Sequence, residues 1–341
     1  MNVATILITA VNALFPLIIT ILLGYFLKRR GFLSKEFLKV GNKLVFNICL
    51  PAMLFVNVYD IASFADINWD IVLYAIAAFF LVVGVGYGIT ILTTPVPERR
   101  GVIWQCTFRS NFGIIGLSLA AALGGDEAVA VAAIVSSFTV PLFNVVSVIA
   151  LSVFTDGGKE KTSVKKILLN IAKNPLIIGV VAGLAVLGIR ELQRALFGDV
   201  IFSIERDTYF VYKVLSNLKT MCTPLALLVL GGQFEFSAVK GLLKEIVSGT
   251  VTRIVIAPLI GIGCAILVSA HTDWLACGVN EFPALIAMFG SPVAVSSAVM
   301  AGNMGSDEQL ATQLVVWTSI FSIFTIFAQV CILMGMGLLA V

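Results

Sequence analysis

One histidine, His271, occurs in 341 residues, and Asp, Glu, Lys and Arg together make up only 12% of the chain. A lone histidine cannot build the zinc, di-iron or haem sites that many membrane enzymes use. An intramembrane aspartate pair and a Ser–His arrangement are also missing, so the inventory of nucleophile, base and metal is thin for an enzyme. The six cysteines, Cys49, Cys106, Cys222, Cys264, Cys277 and Cys331, all fall in hydrophobic stretches, where thiols pack as small apolar groups. We therefore expect no disulfide framework, no metal site and no cofactor. Glu281 is the only acidic residue well inside such a stretch. Met1–Thr20 lacks a basic n-region and a small-residue cleavage site, so the first stretch is expected to be retained rather than removed as a leader.

What is abundant is apolar length. Hydrophobic residues make up 59% of the chain and the mean hydropathy is +1.05, too apolar for a soluble domain. A spanning helix needs about 20 mostly apolar residues. The pattern predicts spans near 5–27, 38–58, 69–93, 101–123, 127–154, 167–189, 214–234, 241–269, 274–302 and 308–339. The runs are continuously apolar instead of alternating, which points to helices and against a barrel.

Charge placement orients these spans. Lys28, Arg29, Arg30, Lys35 and Lys39 follow the first, Arg99 and Arg100 precede the fourth, Lys159, Lys161, Lys165 and Lys166 follow the fifth, and Lys240 and Lys244 precede the eighth. The alternate connections carry Asp60, Asp66, Asp70, Asp126 and Glu127, without Lys or Arg. The positive-inside rule makes the basic face cytoplasmic and puts both termini outside a cell membrane. The connection near 190–213 is mixed in charge and is expected to be a surface helix or structured loop. The net charge of +3 gives no reason to expect a nucleic acid. The expected partners are the lipid bilayer and a small solute, with a second copy of the chain as a candidate.

The second half repeats the first. Pro16-Leu17-Ile18-Ile19 with Gly24 returns as Pro175-Leu176-Ile177-Ile178 with Gly183, and Cys49-Leu50-Pro51 as Cys222-Thr223-Pro224. Sliding Phe108–Val145 onto Phe289–Ile326 matches Gly124 with Gly305 and Asp126-Glu127 with Asp307-Glu308. Five spans per repeat is an odd number, so the repeats should face opposite ways, an arrangement found in secondary transporters with the substrate site where the repeats meet. The expected division is 1–154 for the first repeat, 155–166 for a cytoplasmic linker and 167–341 for the second.

Span 4 is interrupted by Arg109-Ser110-Asn111-Phe112-Gly113 and span 9, at the aligned place, by Gly290-Ser291-Pro292. Proline removes a donor and glycine loosens a helix; freed backbone groups at membrane depth must face protein or water. Half-helix N-termini could then meet an anion. Arg109 lies nine residues past Arg100, roughly 13 Å along a helix, near the centre of the hydrocarbon. A central arginine faces a cavity or a partner, and a guanidinium can clamp a carboxylate bidentately; a structural ion pair or a snorkelling side chain are the alternatives. Arg253 is similarly deep, with structural and functional roles both open. The candidate substrate-binding residues are Arg109, Ser110, Asn111, Gly290, Ser291, Pro292, Asn47 and Ser296. Glu281 is the candidate proton-coupling residue, with an interfacial or paired structural carboxylate as the alternative.

Taken together, Pro175-Leu176-Ile177-Ile178-Gly179, Thr223-Pro224-Leu225-Ala226-Leu227-Leu228 with Gly231-Gly232, Gly290-Ser291-Pro292-Val293-Ala294-Val295-Ser296-Ser297, Pro51-Ala52-Met53-Leu54 after Asn47, and Arg109-Ser110-Asn111-Phe112-Gly113 resemble the auxin efflux carrier family. The likeness covers essentially the whole chain. It implies an all-α membrane protein of ten helices in two inverted five-helix repeats, related to the bile-acid sodium symporter fold, with helices 4 and 9 broken and crossing. Helices 1, 2, 6 and 7 would form a scaffold, and helices 3–5 and 8–10 a transport domain. The implied activity is secondary transport of small organic anions such as mono- or dicarboxylates by an elevator-type cycle, most simply efflux. Rival readings are a membrane sensor that keeps the transporter fold and a membrane-embedded enzyme. One departure stands out: Gly116-Leu117-Ser118 replaces the Gly-Leu-Pro of many relatives, which predicts a shallower break in span 4.

Overall fold

The computed structural model describes residues 3–60, 68–154, 172–272, 274–275 and 277–339; the expected linker 155–166 lies outside the described residues. Every named element is helical. Helix α1 covers Val3–Arg29; α2 (Lys35–Leu44) runs through a π turn, Val45–Cys49, into α3 (Leu50–Tyr59). Then come α4 (Trp69–Thr93), α5 (Pro97–Phe108), a π turn at Phe112–Gly116 and α6 (Leu117–Phe154). The second half holds α7 (Pro175–Phe197), the one-turn α8 (Ile204–Asp207) and α9 (Tyr209–Gln233). It continues with α10 (Val239–Val251), a π turn at Thr252–Ile256, α11 (Ala257–His271), α12 (Glu281–Leu285), a π turn at Ile286–Gly290, α13 (Ser296–Asn303) and α14 (Glu308–Gly335). Among the described residues, seven helices are long and apolar enough to cross a membrane by length and composition.

Local chemistry sets the boundaries. Asn174 accepts a hydrogen bond from Leu176 N at 2.9 Å and Pro175 takes the first position of α7, where a missing N–H costs nothing. Asp307 caps α14 in the same way through Leu310 N at 2.9 Å. The π turns at Val45–Cys49 and Thr252–Ile256 lie just before Pro51 and Pro258. Each proline denies the carbonyl four residues earlier its donor, and the ladder widens there. The span expected at 167–189 differs at its far end: α7 runs on to Phe197, so Arg190 and Arg194 sit on this helix. The extension is held where Arg190 donates to the Tyr59 carbonyl at 2.7 Å and lies over the Tyr59 ring, and it stops at Gly198, whose φ of 79° suits a left-handed cap.

Two close seams organise the packing: α1 lies against α9, and α3 against α7. In the first, a side chain at Gly24 would overlap the Leu228 carbonyl and one at Gly231 the Ile21 carbonyl. In the second, Gly179 sits on Pro51 and Gly183 on Phe55 and Val58. Small residues let helix backbones approach in lipid, where apolar burial alone does not drive association.

The two interrupted segments meet backbone to backbone. Helix α5 ends at Phe108, and Arg109, with φ −86° and ψ 93°, turns into extended backbone. Ser110 pairs with Val293 in an isolated antiparallel bridge. Its main-chain bonds are Asn111 N to Pro292 O at 2.8 Å and Ala294 N to Arg109 O at 3.1 Å. The span 4 break is therefore not shallow. It lies at 109–111, ahead of the Gly116-Leu117-Ser118 position, because the unwound strands satisfy one another.

Candidate functional site

A cavity of about 280 Å³ opens beside the crossing, between α3, α9, α6 and the two unwound segments. Its polar wall holds Arg109, Ser110, Asn111, Ser296, Asn57, Asn144, Thr220, Thr223 and Lys219; Leu50, Met53, Leu54, Val140, Phe143 and Ala226 form the apolar wall. A second chamber of about 240 Å³ shares Leu54, Asn57, Gly113, Val140 and Lys219 and extends to Asp60, Ser136 and Ser137. The path thus leads from Arg109 toward the end of α3, where Lys219 pairs with Asp60 at 2.9 Å.

Arg109 is the chemical centre of this space. Its side chain is 3% exposed, and Nη2 donates to Asn144 Oδ1 at 2.6 Å and Ser296 Oγ at 2.9 Å. Nη1 contacts the Met300 sulfur. All three acceptors are neutral, and among the described residues no carboxylate pairs with it. A buried cation without a counter-ion is expensive in hydrocarbon and favours an anion in the cavity. Beside it, the Ser110 hydroxyl is buried without a hydrogen-bond partner.

The opposite end is knit together by side chains. Arg99 bonds Glu245 at 2.6 Å and Asp307 at 3.2 Å, joining α5, α10 and the start of α14. Glu308 Oε1 accepts from Asn42 Nδ2 at 2.6 Å and Gln233 Nε2 at 2.9 Å, joining α14 to α2 and α9. None of these residues lines either chamber. Burial of Arg99 opposes its charge, but the bonds to Glu245 and Asp307 outweigh it and the guanidinium pKa is raised.

The sequence candidates therefore separate into groups. Arg109, Ser110, Asn111 and Ser296 come together on the cavity wall. Gly290, Ser291 and Pro292 lie behind it: Ser291 Oγ donates to Ala287 O at 2.6 Å, and Pro292 contributes only its carbonyl to the bridge. Asn47 sits in the first π turn, exposed, donating to Lys43 O at 2.8 Å. Glu281 accepts from Gly278 N at 2.8 Å, a local turn at the start of α12, and does not border the cavity. Arg253 donates to four main-chain carbonyls, those of Thr107, Met288, Phe289 and Ser291.

Sequence reasoning passed over Asn57, Asn144, Thr220, Thr223 and Lys219. Signals for some of them were present. Leu50 and Thr223 are the central residues of the repeated Cys-Leu-Pro and Cys-Thr-Pro motifs, and Asn57 follows Leu50 by two helical turns on the same face. Lys219 is a cation inside an apolar span.

Comparison with known proteins agrees. An uncharacterized transporter of Methanothermobacter thermautotrophicus is 21% identical over 318 residues, 91% of this chain and 93% of its own length. Another, from Methanocaldococcus jannaschii, is 24% identical over 246 residues, 71% of this chain and 74% of its own. Residues 9–328 match the family described as membrane transport protein. The chain is a membrane transporter of that family, the auxin efflux carrier family its motifs resemble.

Proposed function

We propose that the protein is a secondary transporter of small organic anions, with Arg109 as the substrate countercharge. The observation that carries this reading is a buried guanidinium with only neutral partners on the wall of a cavity whose other side is apolar. A small mono- or dicarboxylate meets both demands: its charge suits the fork of Arg109, and its carbon skeleton suits Leu50, Met53 and Phe143. Ser110 and Asn111 would supply further donors. The repeats support the finer architecture of this reading. Val58 stands nine residues after Cys49 and Gly231 nine after Cys222; each lies in a glycine seam, as equivalent positions of two inverted five-helix repeats would. In the ten-helix reading, the seams belong to a scaffold of helices 1, 2, 6 and 7, against which helices 3–5 and 8–10 slide as an elevator.

The reading places the Arg99 end in the cytoplasm and the Asp60 end, toward which the cavity extends, outside the cell membrane. The membrane potential, worth about 2.3 kcal/mol per charge per 100 mV, would then favour anion export without a coupled ion. Purified protein screened by thermal shift against mono- and dicarboxylates should be stabilised by at least one of them, and the shift should vanish in Arg109→Gln. Stabilisation by amines or neutral solutes instead of carboxylates would refute an anion carrier. In a cysteine-free background, single cysteines at Lys244 and Glu127 should label from opposite sides in sealed vesicles; same-side labelling would break the topology.

A further inference from the structure

Breaking a helix strands carbonyls. At the end of each half-helix the last C=O groups lose their donors, and in a membrane each orphan costs several kcal/mol. Here four of the orphans share one donor group. The Arg253 side chain, 1% exposed, reaches the crossing from the π turn Thr252–Ile256. Its Nε donates to Ser291 O at 3.0 Å and its Nη1 to Thr107 O at 3.1 Å. Its Nη2 donates to Met288 O at 3.0 Å and Phe289 O at 2.8 Å. The four acceptors belong to both interrupted segments, Thr107 to the end of α5, Met288 and Phe289 to the end of the half-helix that closes at Gly290, and Ser291 to its C-cap. These are the negative ends of two half-helix dipoles, and among the described residues no carboxylate shares the guanidinium with them.

Carbonyls of unwound helices and half-helix C-termini are the groups with which transporters coordinate a coupling cation. In this chain the position is filled by a side chain. We propose that Arg253 is a resident substitute for such a cation: it holds the carbonyls of both breaks in the arrangement that presents Arg109 and Ser110 to the cavity, and anion binding therefore needs no alkali cation. Arg253 does not touch the cavity; it is a positioning residue acting through the main chain of the crossing. The inference rests on the proposed function only in taking that crossing as the substrate site.

The test empties the seat and offers replacements. Arg253→Gly leaves the four carbonyls and removes the cation. Methylguanidinium at low millimolar concentration should raise the melting temperature of this variant saturably, and should not stabilise the wild type. This arm uses no anion, so it reports on Arg253 even if no carboxylate binds. Malonate serves as the test anion in the second arm. Wild-type affinity should be the same in sodium and in N-methylglucamine, whereas Arg253→Gly should lose about tenfold or more and regain most of it with methylguanidinium. Where Arg253→Gly does not insert, Arg253→Lys replaces it. Its single ammonium cannot span four carbonyls, so it should fold, bind malonate about tenfold more weakly, and recover partly on adding sodium, a dependence the wild type lacks. Wild-type affinity in either variant, absence of methylguanidinium rescue in a folded Arg253→Gly protein, or a sodium requirement in the wild type would each overturn the proposal. Failure of malonate and other carboxylates to bind the wild type, with methylguanidinium rescue intact, would count against the anion reading and leave Arg253 as the cation of the crossing.

Discussion

Arg109 and Arg253 place the same group at the same crossing, both almost wholly buried and, among the described residues, neither paired with a carboxylate, yet their partners are of different kinds. Arg253 is held by four main-chain carbonyls, acceptors that stay put unless the backbone moves. Arg109 is held by Asn144, Ser296 and Met300, side chains that can rotate away when a better acceptor arrives. Solvation by backbone fixes a cation as part of the frame. Solvation by neutral side chains, next to open volume, leaves it available to a ligand.

The largest effect that would sharpen this contrast is on Arg109 itself. Arg109→Gln should insert and fold but lose anion affinity by roughly 100-fold, since bonds to charged groups are worth about 1.5–3 kcal/mol each. Arg109→Lys should recover only part, because an ammonium lacks the planar fork. Unchanged uptake kinetics in Arg109→Gln would dissolve the distinction between the two arginines. Next comes Pro292→Ala. The new N–H would be the natural helical donor to the carbonyl four residues back, Met288, which Arg253 now holds. Competition for that oxygen should slow turnover by about tenfold with a smaller change in melting temperature, as read in proteoliposomes at matched protein density; wild-type turnover would mean the break does not depend on proline.

Smaller effects test the side-chain half of the contrast. Asn144→Ala and Asn111→Ala should each weaken affinity by up to about tenfold, the range for a neutral hydrogen bond, without altering maximal rate. Asn111 keeps its place because its main chain, not its side chain, makes the bridge. The smallest effect is expected at Glu281, whose carboxylate is engaged locally by Gly278 N. Uptake by Glu281→Gln should stay within about twofold of wild type from acid to neutral external pH; loss of a pH dependence seen in the wild type would restore it as a proton carrier.

The elements of this contrast are legible in the chain, but the contrast itself is not, because the sequence leaves a structural and a functional role open for both arginines. The interruptions at Arg109-Ser110-Asn111 and Gly290-Ser291-Pro292, and an arginine inside each of two apolar stretches, are read from spacing alone. What spacing could not show is which residues of other helices complete each environment. Asn144 and Asn57 reach the cavity from α6 and α3, and their relation to Arg109 exists only after the helices pack. Asn47 shows the same limit from the other side: its position near Pro51 is suggestive, but the π turn rotates its amide outward to Lys43 O. The span 4 break was expected to be shallow from its own sequence. It is deepened by a partner strand that supplies the missing donors and acceptors from another segment.

That partner strand has a consequence for how the protein can change over time. The stitches between Arg109, Asn111, Pro292 and Ala294 are made by peptide groups alone, so they survive most replacements of the side chains that decorate them. Ser110 lines the cavity beside the stitch with its hydroxyl buried and without a hydrogen-bond partner, so its side chain can be exchanged without unpicking the crossing. On the proposed reading, the carrier can therefore be retuned toward a larger, smaller or more polar acid one residue at a time, with the frame that positions Arg109 left standing at every step.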